Sequence, residues 1–257
     1  MTYDTFYDIW YLFVRATKKL LRNPILILFT MFQPIMFLIL FTQLFSKFSN
    51  LPGFPPVSYL QIAFAGIIFL NAILAALQSG MSIVEDIDSG YLSKMLSTPV
   101  SRISILLGRL FSDATRLVIQ SIIIILLAYA LGVSIRTGVV GLLLTLITVA
   151  FFGIAWSGIS LAIGLTTKKS ETVSAVGSIL TFPLLFMSTA LVPAAFLPSW
   201  MQIASNYNPM SYAVNAVRAL TNTGYDWGAI GSAYAVIAII AVISLGATLY
   251  QFRKLVK

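Results

Sequence analysis

The sequence predicts an all-α integral membrane protein with six transmembrane helices. Of its 257 residues, 59% are hydrophobic and only 9% are charged, whereas soluble domains carry about 25% charged residues. A water-soluble chain of this length could not hide so much apolar surface, because much of any folded surface still faces solvent. The charged residues are also spaced so that they leave six long apolar windows. We therefore expect lipid to be the main solvent of this chain.

The charge-free windows place the membrane spans. A hydrocarbon core needs about 20 apolar residues per helix. We expect spans at residues 24–45, 59–81, 116–134, 139–165, 172–192 and 229–251. The window after residue 172 is too long for one helix and contains Pro183, Pro193, Pro198 and Pro209. Its second half is predicted to form one or two short re-entrant or interfacial helices, because proline-broken backbone at membrane depth must be covered by protein or water.

Basic residues predict the orientation. If both termini are cytoplasmic, thirteen of the 16 Lys and Arg residues lie in inner segments, and only Lys47, Arg136 and Arg218 lie in outer ones. This agrees with the positive-inside rule, and a seventh span would move the basic carboxyl end outside. We expect a multi-pass protein of a prokaryotic plasma membrane. The net charge of +8 is attributed to these membrane flanks, so no nucleic-acid partner is expected. Residues 1–257 are interpreted as one membrane domain.

The first 23 residues predict an amphipathic helix at the inner membrane surface. Polar and charged residues recur at steps of four and three from Asp4 to Arg22, while aromatic and aliphatic residues cover the remaining face. A helix of this kind lies flat among lipid headgroups. A water-exposed tail is the alternative, and it would leave the apolar face unused. The residues expected to make the interfacial contacts are Trp10, Arg15, Lys18 and Arg22.

The segment between the second and third spans predicts a docking surface for a cytosolic partner. It holds the only cluster of acidic residues in the sequence, and Gly90 then breaks the helix before a short apolar helix that ends near a proline. A plain membrane-surface hairpin is the alternative, but it does not account for an apolar helix flanked by acids. The predicted docking residues are Glu85, Asp88, Gly90, Tyr91, Leu92, Met95, Leu96, Pro99 and Arg102.

The composition excludes most enzyme chemistries. The chain has no histidine and no cysteine, which removes the commonest general base, the thiol nucleophile and the commonest metal ligands. We expect no ionisable group within the six spans, and therefore no proton relay or ion path there. No G-x-x-x-x-G-K-[ST] loop occurs, so the chain is not an ATPase of that kind. We predict no catalytic residue, no metal site and no cofactor bound by this chain.

Amide side chains within the spans are candidates for a substrate pathway. The candidates are Gln33, Asn71 and Gln78, of which Asn71 and Gln78 are seven residues apart and share a helix face. Hydrogen bonding between helices is the commoner role of such residues. Both interpretations stay open at the level of the sequence.

Taken together, the features resemble the type-2 membrane subunits of ATP-binding cassette exporters, close to the daunorubicin-resistance permeases. The resemblance covers essentially the whole chain, and its motifs occur in the expected order around six spans. These motifs are Arg22-Asn23-Pro24, Gln33-Pro34, Glu85-Asp86-Ile87-Asp88-Ser89-Gly90, Leu96-Ser97-Thr98-Pro99-Val100-Ser101-Arg102, Gly108-Arg109, Asn208-Pro209-Met210-Ser211-Tyr212 and Arg218.

The resemblance implies partners and roles. Two permease subunits, expected to be a homodimer, would sit in the lipid membrane above two ATPase subunits that bind ATP and magnesium. Residues 89–98 would form the coupling helix that docks on the ATPase. Residues 193–218 would cap the outer end of the pathway, with an outer gate at Pro193, Asn208, Pro209 and Tyr212.

The implied function is export of an amphipathic, drug-like or lipid-like substrate by alternating access. The spans offer apolar and hydroxyl surface but no charged site for a small ion. Two alternatives come from other classes: a membrane scaffold or assembly subunit without transport, and a secondary carrier that works without ATP.

Overall fold

The computed structural model describes residues 2–22, 24–98 and 100–254, and this part of the chain is helical without any strand. Short 3-10 turns at Ser46–Asn50 and Ala194–Phe196 interrupt the connections between α-helices. The α-helices are α1 (Thr2–Leu21), α2 (Pro24–Leu44), α3 (Tyr59–Asp88), α4 (Tyr91–Leu96), α5 (Arg102–Ala130), α6 (Gly138–Thr167), α7 (Ser170–Phe186), α8 (Ser199–Tyr207), α9 (Pro209–Asn222) and α10 (Trp227–Lys254).

Four of the helices, α3, α5, α6 and α10, are long and apolar enough to cross a membrane. At about 1.5 Å per residue, each of them exceeds the hydrocarbon thickness of about 30 Å and extends beyond it. Two further apolar segments, Phe29–Leu44 in α2 and Ser170–Phe186 in α7, are shorter. The all-helical membrane fold is therefore confirmed, whereas the count of six spans stays a prediction.

The helix that contains the third predicted span begins before residue 116, where the span itself is expected to start. Helix α5 runs without interruption from Arg102. The Ser101 side chain caps the helix by accepting a hydrogen bond from the Ser104 amide at 3.0 Å. Helix α3 likewise continues beyond the predicted second span, to Asp88. The charged residues between the two predicted spans are therefore largely parts of the two long helices.

Helix α3 is the centre of the molecule, with most of its length buried by neighbouring helices. Its closest neighbour is α6, and small residues make the approach possible. A Cβ atom on Gly80 would lie 2.4 Å from the backbone oxygen of Ser160, and one on Gly164 would lie 2.6 Å from the backbone oxygen of Gly80. The Ser160 hydroxyl donates a hydrogen bond to the Ala76 carbonyl across the same contact. Backbone-to-backbone packing thus joins α3 and α6.

The chain between α7 and α10 is broken into two short helices, as the prolines predicted. Helix α8 follows Pro198, and α9 begins with Pro209, a residue that is favourable at the first helical position. Helix α9 is largely buried and packs against α3, α6 and α10. A water-facing loop would not be covered in this way. Whether these helices are re-entrant in a bilayer stays a prediction.

Candidate functional site

The residues that were predicted to form a docking surface lie at the corner between α3 and α4. Helix α3 ends at Asp88, and Gly90 then takes a left-handed conformation with φ 69°, which most other residues rarely adopt. This turn allows α4 to begin at Tyr91. The side chains of Glu85 and Asp88 are exposed beside the turn. Pro99, also predicted to belong to the docking surface, lies outside the described residues.

Helix α4 does not present the exposed apolar knob that we expected. Leu92 is only 3% exposed and packs with Ile83 and Ile105 from the ends of α3 and α5. Met95 and Leu96 pack against the same cluster. The apolar face turns inward because a six-residue helix is held in place chiefly by burying that face against its neighbours.

The outward face of this corner is polar. Ser93 and Lys94 are exposed on α4, and Arg102 is partly buried at the start of α5. A partner that binds here would therefore contact acidic, hydroxyl and basic groups. Leu92 would not contact the partner, because it packs α4 against the rest of the chain.

Helix α1 is attached to the same corner. The guanidinium of Arg15 lies over the ring of Tyr91 at 4.2 Å from its centroid, a cation–π contact between α1 and α4. Helix α1 also packs closely on α5, since a Cβ on Gly108 would lie 2.7 Å from the Cβ of Leu12. Lys18 and Arg22 are exposed, and Trp10 is 54% exposed. We call α1, α4 and the first half of α5 the platform.

Helices α3 and α5 are also joined by a series of polar contacts between them, which we call the ladder. Its lower part is the part nearer to α4, and its upper part is farther from α4. In its lower pair, Arg109 Nη1 donates to Asp86 Oδ2 at 2.6 Å, and Arg109 also contacts Ser82. Both charged side chains are mostly buried, 16% and 21% exposed. This pair ties the end of α3 to α5 immediately behind the docking corner.

The upper part of the ladder places charged side chains of α5 against α3. Arg116 lies near the middle of α5, 3.4 Å from Asp113 on the same helix, and donates to the Ala75 carbonyl at 2.7 Å. Ser79 donates to Asp113, and Gln78 accepts from Arg116 at 3.4 Å. Both charged groups therefore have partners although they are mostly buried. The expectation that the six spans contain no ionisable group stays a prediction.

The predicted pathway amides are not brought together. Asn71 is buried and donates to Gln120 at 3.4 Å, and Gln120 donates to Thr30 of α2 at 3.0 Å. Gln78 belongs to the ladder, whereas Gln33 is exposed on α2. Within this chain, Asn71 and Gln78 link helices. A role for any of the three in a substrate pathway stays a prediction.

Three of the four outer-gate candidates lie where α8 is followed by α9. The Asn208 side chain accepts from the Met210 amide at 2.9 Å and donates to the Leu184 carbonyl at 2.9 Å, so it caps α9 and ties it to α7. Pro209 begins α9, and the Tyr212 hydroxyl donates to the Asn206 carbonyl at 2.7 Å. Pro193 precedes the short turn after α7. A small apolar cleft of about 170 Å³ lies beside this short turn after α7, which we call the outer-gate turn. The cleft is lined by Phe41, Phe45, Leu185, Phe186, Ser188, Leu191, Val192 and Leu197.

Sequence reasoning missed the role of Arg218, which we expected in an outer segment. Its guanidinium donates to the carbonyls of Ile62 at 3.1 Å and Thr189 at 2.7 Å. The irregular backbone after α7 is thereby tied to α3 and α9. Gly66 fits under this segment, since a Cβ there would lie 2.3 Å from the Ala190 oxygen. The available signal was a lone arginine in a helix that has no other charged residue.

Comparisons with known proteins agree on one family. Residues 7–221 match the family described as ABC-2 type transporter. The ycf38 protein of Cyanophora paradoxa, named as a transport permease, is 35% identical over 230 residues, which cover 84% of this chain and 76% of the relative. The daunorubicin resistance ABC transporter permease protein DrrB1 of Streptomyces coeruleorubidus is 28% identical over 241 residues, covering 93% and 84% of the two chains. The doxorubicin resistance permease DrrC of Mycobacterium tuberculosis is 24% identical over 217 residues, covering 82% of this chain and 75% of DrrC.

Proposed function

This chain belongs to the ABC-2 type transporter family and is a membrane transport permease, and we propose that it exports an amphipathic substrate with energy from a separate ATPase subunit. The observation that carries the proposal is the platform, in which α1, α4 and α5 form one packed unit at the end of the two long helices α3 and α5. A mobile loop could not transmit force, whereas a packed corner can.

The polar face of the platform supports docking of an ATPase. The sequence has no G-x-x-x-x-G-K-[ST] loop, so ATP and magnesium would be bound by the partner chain. Exposed Glu85, Asp88 and Lys94 offer charges of both signs within one corner, and complementary charges favour specific association. We propose two ATPase copies, one under each permease subunit of a homodimer, with both termini of the permease facing the cytoplasm.

Exposed apolar surface on α2 and α7 supports a second permease copy. Phe29 and Phe32 on α2 are 75% and 65% exposed, and Ile179 and Phe182 on α7 are 70% and 61% exposed. Such surfaces must be covered by lipid or by protein. An arrangement with two copies would place the apolar cleft beside the outer-gate turn close to a shared pathway.

The substrate class is inferred from the cleft and the relatives. The cleft beside the outer-gate turn is lined almost wholly by aliphatic and aromatic side chains, which suits an apolar or amphipathic molecule. Two of the relatives are named for resistance to daunorubicin and doxorubicin. We propose a drug-like or lipid-like substrate, moved outward.

The mechanism that we propose is alternating access driven through the platform. ATP binding would draw the ATPase subunits together, and α4 would follow because its apolar face is locked to α3 and α5. The ladder would carry that displacement along α3 and α5 toward the outer-gate turn. Each ligand can shift the equilibrium only by the difference between its affinities for the two states.

Co-purification of the ATPase tests the docking surface. The tagged chain is extracted from its native membranes in mild detergent, and bound proteins are identified by mass spectrometry. Lys94→Glu reverses one exposed charge on α4, and we expect it to lower the yield of ATPase by about tenfold, since like charges across an interface are unfavourable. Lys47→Glu makes the same change at an exposed site between α2 and α3, the other end of α3, and should leave the yield unchanged.

Two outcomes would contradict this proposal. If the unmodified chain retains no ATP-binding subunit under conditions that preserve complexes, the exporter assignment fails. If Lys47→Glu reduces the yield as much as Lys94→Glu does, docking is not localised to the platform. Leu92→Asp is unsuitable for this test, because Leu92 is buried and its loss would unfold the corner.

A further inference from the structure

A second cleft lies at the platform end of the molecule, between the beginning of α5 and the end of α10. Its volume is about 340 Å³. Its lining combines two arginines with a hydroxyl and three aliphatic side chains. The lining residues are Val100, Ser101, Arg102, Ile103, Leu249 and Arg253. The ATPase proposal uses neither Arg253 nor α10, so this cleft has no role in the function described so far.

The two arginines of the cleft carry uncompensated positive charge. Arg102 comes from α5 and Arg253 from α10, so the fold brings together two cations that are distant in sequence. The ion pairs found among residues 2–22, 24–98 and 100–254 are Arg109 with Asp86 and Arg116 with Asp113, which leaves both cleft arginines without a carboxylate partner. Two like charges beside one cleft repel each other unless an anion lies between them.

The rest of the cleft is apolar, and the surface of α10 beside it is open. Leu249 forms one wall, and Ile103, which is 50% exposed, forms the rim. Gly246 lies one helical turn from Leu249. A Cβ atom on Gly246 would meet no atom within 4 Å, so an acyl chain that follows α10 from the arginines would meet no obstacle at this position.

We propose that this cleft binds one phospholipid with an anionic headgroup, taken from the leaflet at the platform end. Arg102 and Arg253 would hold the phosphodiester, because guanidinium groups donate paired hydrogen bonds to phosphate oxygens. One acyl chain would lie against Leu249 and over Gly246. A soluble phosphate would match the arginines but not the apolar groove, which is why a lipid is the better match. The bound lipid would join α10 to α5 just after the docking corner.

Lipid binding is measured on the full chain in detergent, without any ATPase, by native mass spectrometry. Phosphatidylglycerol should saturate one site, whereas phosphatidylcholine, whose headgroup has no net charge, should bind much more weakly. Arg102→Gln or Arg253→Gln should weaken phosphatidylglycerol binding by about tenfold, as expected for loss of one charge-assisted contact. Lys254→Gln is the matched control, because it removes the same charge from the adjacent position, which does not line the cleft. It should change the affinity by less than about twofold.

The acyl-chain position is tested by a substitution that changes no charge. Gly246→Leu would fill the groove and should weaken phosphatidylglycerol binding, whereas Gly231→Leu, at another open site on α10, should not. Glycerol 1-phosphate is the soluble probe, and it should neither bind nor displace the lipid at the same concentration. Each variant must keep the melting temperature of the unmodified chain within about 2 °C to be compared, which for a chain of this size corresponds to a change in stability of at most about 1 kcal/mol.

Three results would overturn the proposal. Equal loss in Lys254→Gln and Arg253→Gln would mean that only general charge attracts the lipid. Binding of glycerol 1-phosphate as tight as that of phosphatidylglycerol would make the cleft a phosphate site. Unchanged affinity in Gly246→Leu would remove the acyl chain from the groove.

Discussion

Arg218 is the residue whose environment is least expected in an apolar bundle. It lies on α9, and its hydrogen-bond acceptors are backbone carbonyls on α3 and on the irregular segment after α7. The planar guanidinium can reach acceptors on two different elements, which a single ammonium cannot do equally well. The nearby hydroxyl of Thr189 donates to Asn215 at 2.9 Å, so the same segment is tied twice to α9.

Arg218→Met is therefore expected to destabilise the protein. The substitution leaves the carbonyls of Ile62 and Thr189 without this donor, and an unpaired buried polar group costs about 1–3 kcal/mol. Arg218→Lys should recover only part of the loss. The measurement is the free energy of unfolding in mixed detergent micelles.

Arg136→Met is the control for this prediction. Arg136 is exposed, and its guanidinium makes one long hydrogen bond within the described residues, to the Asn222 carbonyl at 3.4 Å, so the loss of its side chain should cost no more than about 0.5 kcal/mol. Equal destabilisation by both substitutions would show that Arg218 does not hold the segment after α7.

At the residue scale, sequence reasoning identified the break between α3 and α4 but not the direction of the side chains beside it. Gly90 was correctly expected to end α3, because a left-handed turn there suits glycine. Leu92 was expected to be exposed, but it is buried, because Ile83 and Ile105 of the same chain pack against it. One helix's periodicity shows which face is apolar but not which neighbour covers it.

At the scale of secondary-structure elements, the main feature is the ladder, the set of polar contacts between α3 and α5. It joins α3 and α5 through the ion pair of Asp86 with Arg109. Farther along α5, Asp113 accepts from Ser79 of α3, and Arg116 donates to the Ala75 carbonyl of α3. The sequence contains the signal, since Arg102, Arg109 and Arg116 recur every seven residues. Taken alone, that repeat predicts a basic stripe that could reach lipid phosphates. Only the contacts between α3 and α5 show that two of the three, Arg109 and Arg116, lie against the neighbouring helix α3 instead.

A double-mutant cycle tests the lower pair of the ladder. Asp86→Asn and Arg109→Met should each destabilise, because each leaves a mostly buried charge without its partner. The double variant should lose less than the sum of the two, with a coupling energy of about 0.5–3 kcal/mol. The measurement is again unfolding in mixed micelles.

Asp88→Asn combined with Arg109→Met is the matched control for that cycle. Asp88 is exposed, two residues from Asp86, and forms no ion pair among the residues that the structure covers. The two effects should therefore add, with a coupling energy near zero. Coupling as large as that of the first pair would contradict a specific link between Asp86 and Arg109.

At the scale of the whole molecule, the number of spans decides the topology. Composition alone predicted the membrane class, because 59% hydrophobic residues cannot be packed inside a soluble fold of this size. The proline-rich break before α10 was also predicted correctly. Whether α2 and α7 cross the membrane depends on the proteins that cover them and on the bilayer. The charge-free windows of the sequence carry no information about either.

Cysteine labelling determines which helices cross. The chain has no native cysteine, so a single substituted cysteine gives a signal without background. Lys18→Cys and Lys47→Cys flank α2, whereas Lys168→Cys and Asp226→Cys flank the segment that contains α7, α8 and α9, and all four positions are exposed. In intact cells, a membrane-impermeant maleimide should label the variants at 47 and 226 but not those at 18 and 168. Matching labels at 168 and 226 would mean that the segment from α7 to α9 begins and ends on the same side of the membrane.

The most direct test of the central claim is transport in proteoliposomes that contain the purified chain with or without its co-purified ATPase. A fluorescent anthracycline inside the vesicles or outside them reports movement in either direction. We predict movement only when both subunits, ATP and magnesium are present, and only toward the side opposite the ATPase. Movement without the ATPase would identify a secondary carrier, and no movement of any amphipathic probe by a complex that hydrolyses ATP would contradict the exporter account.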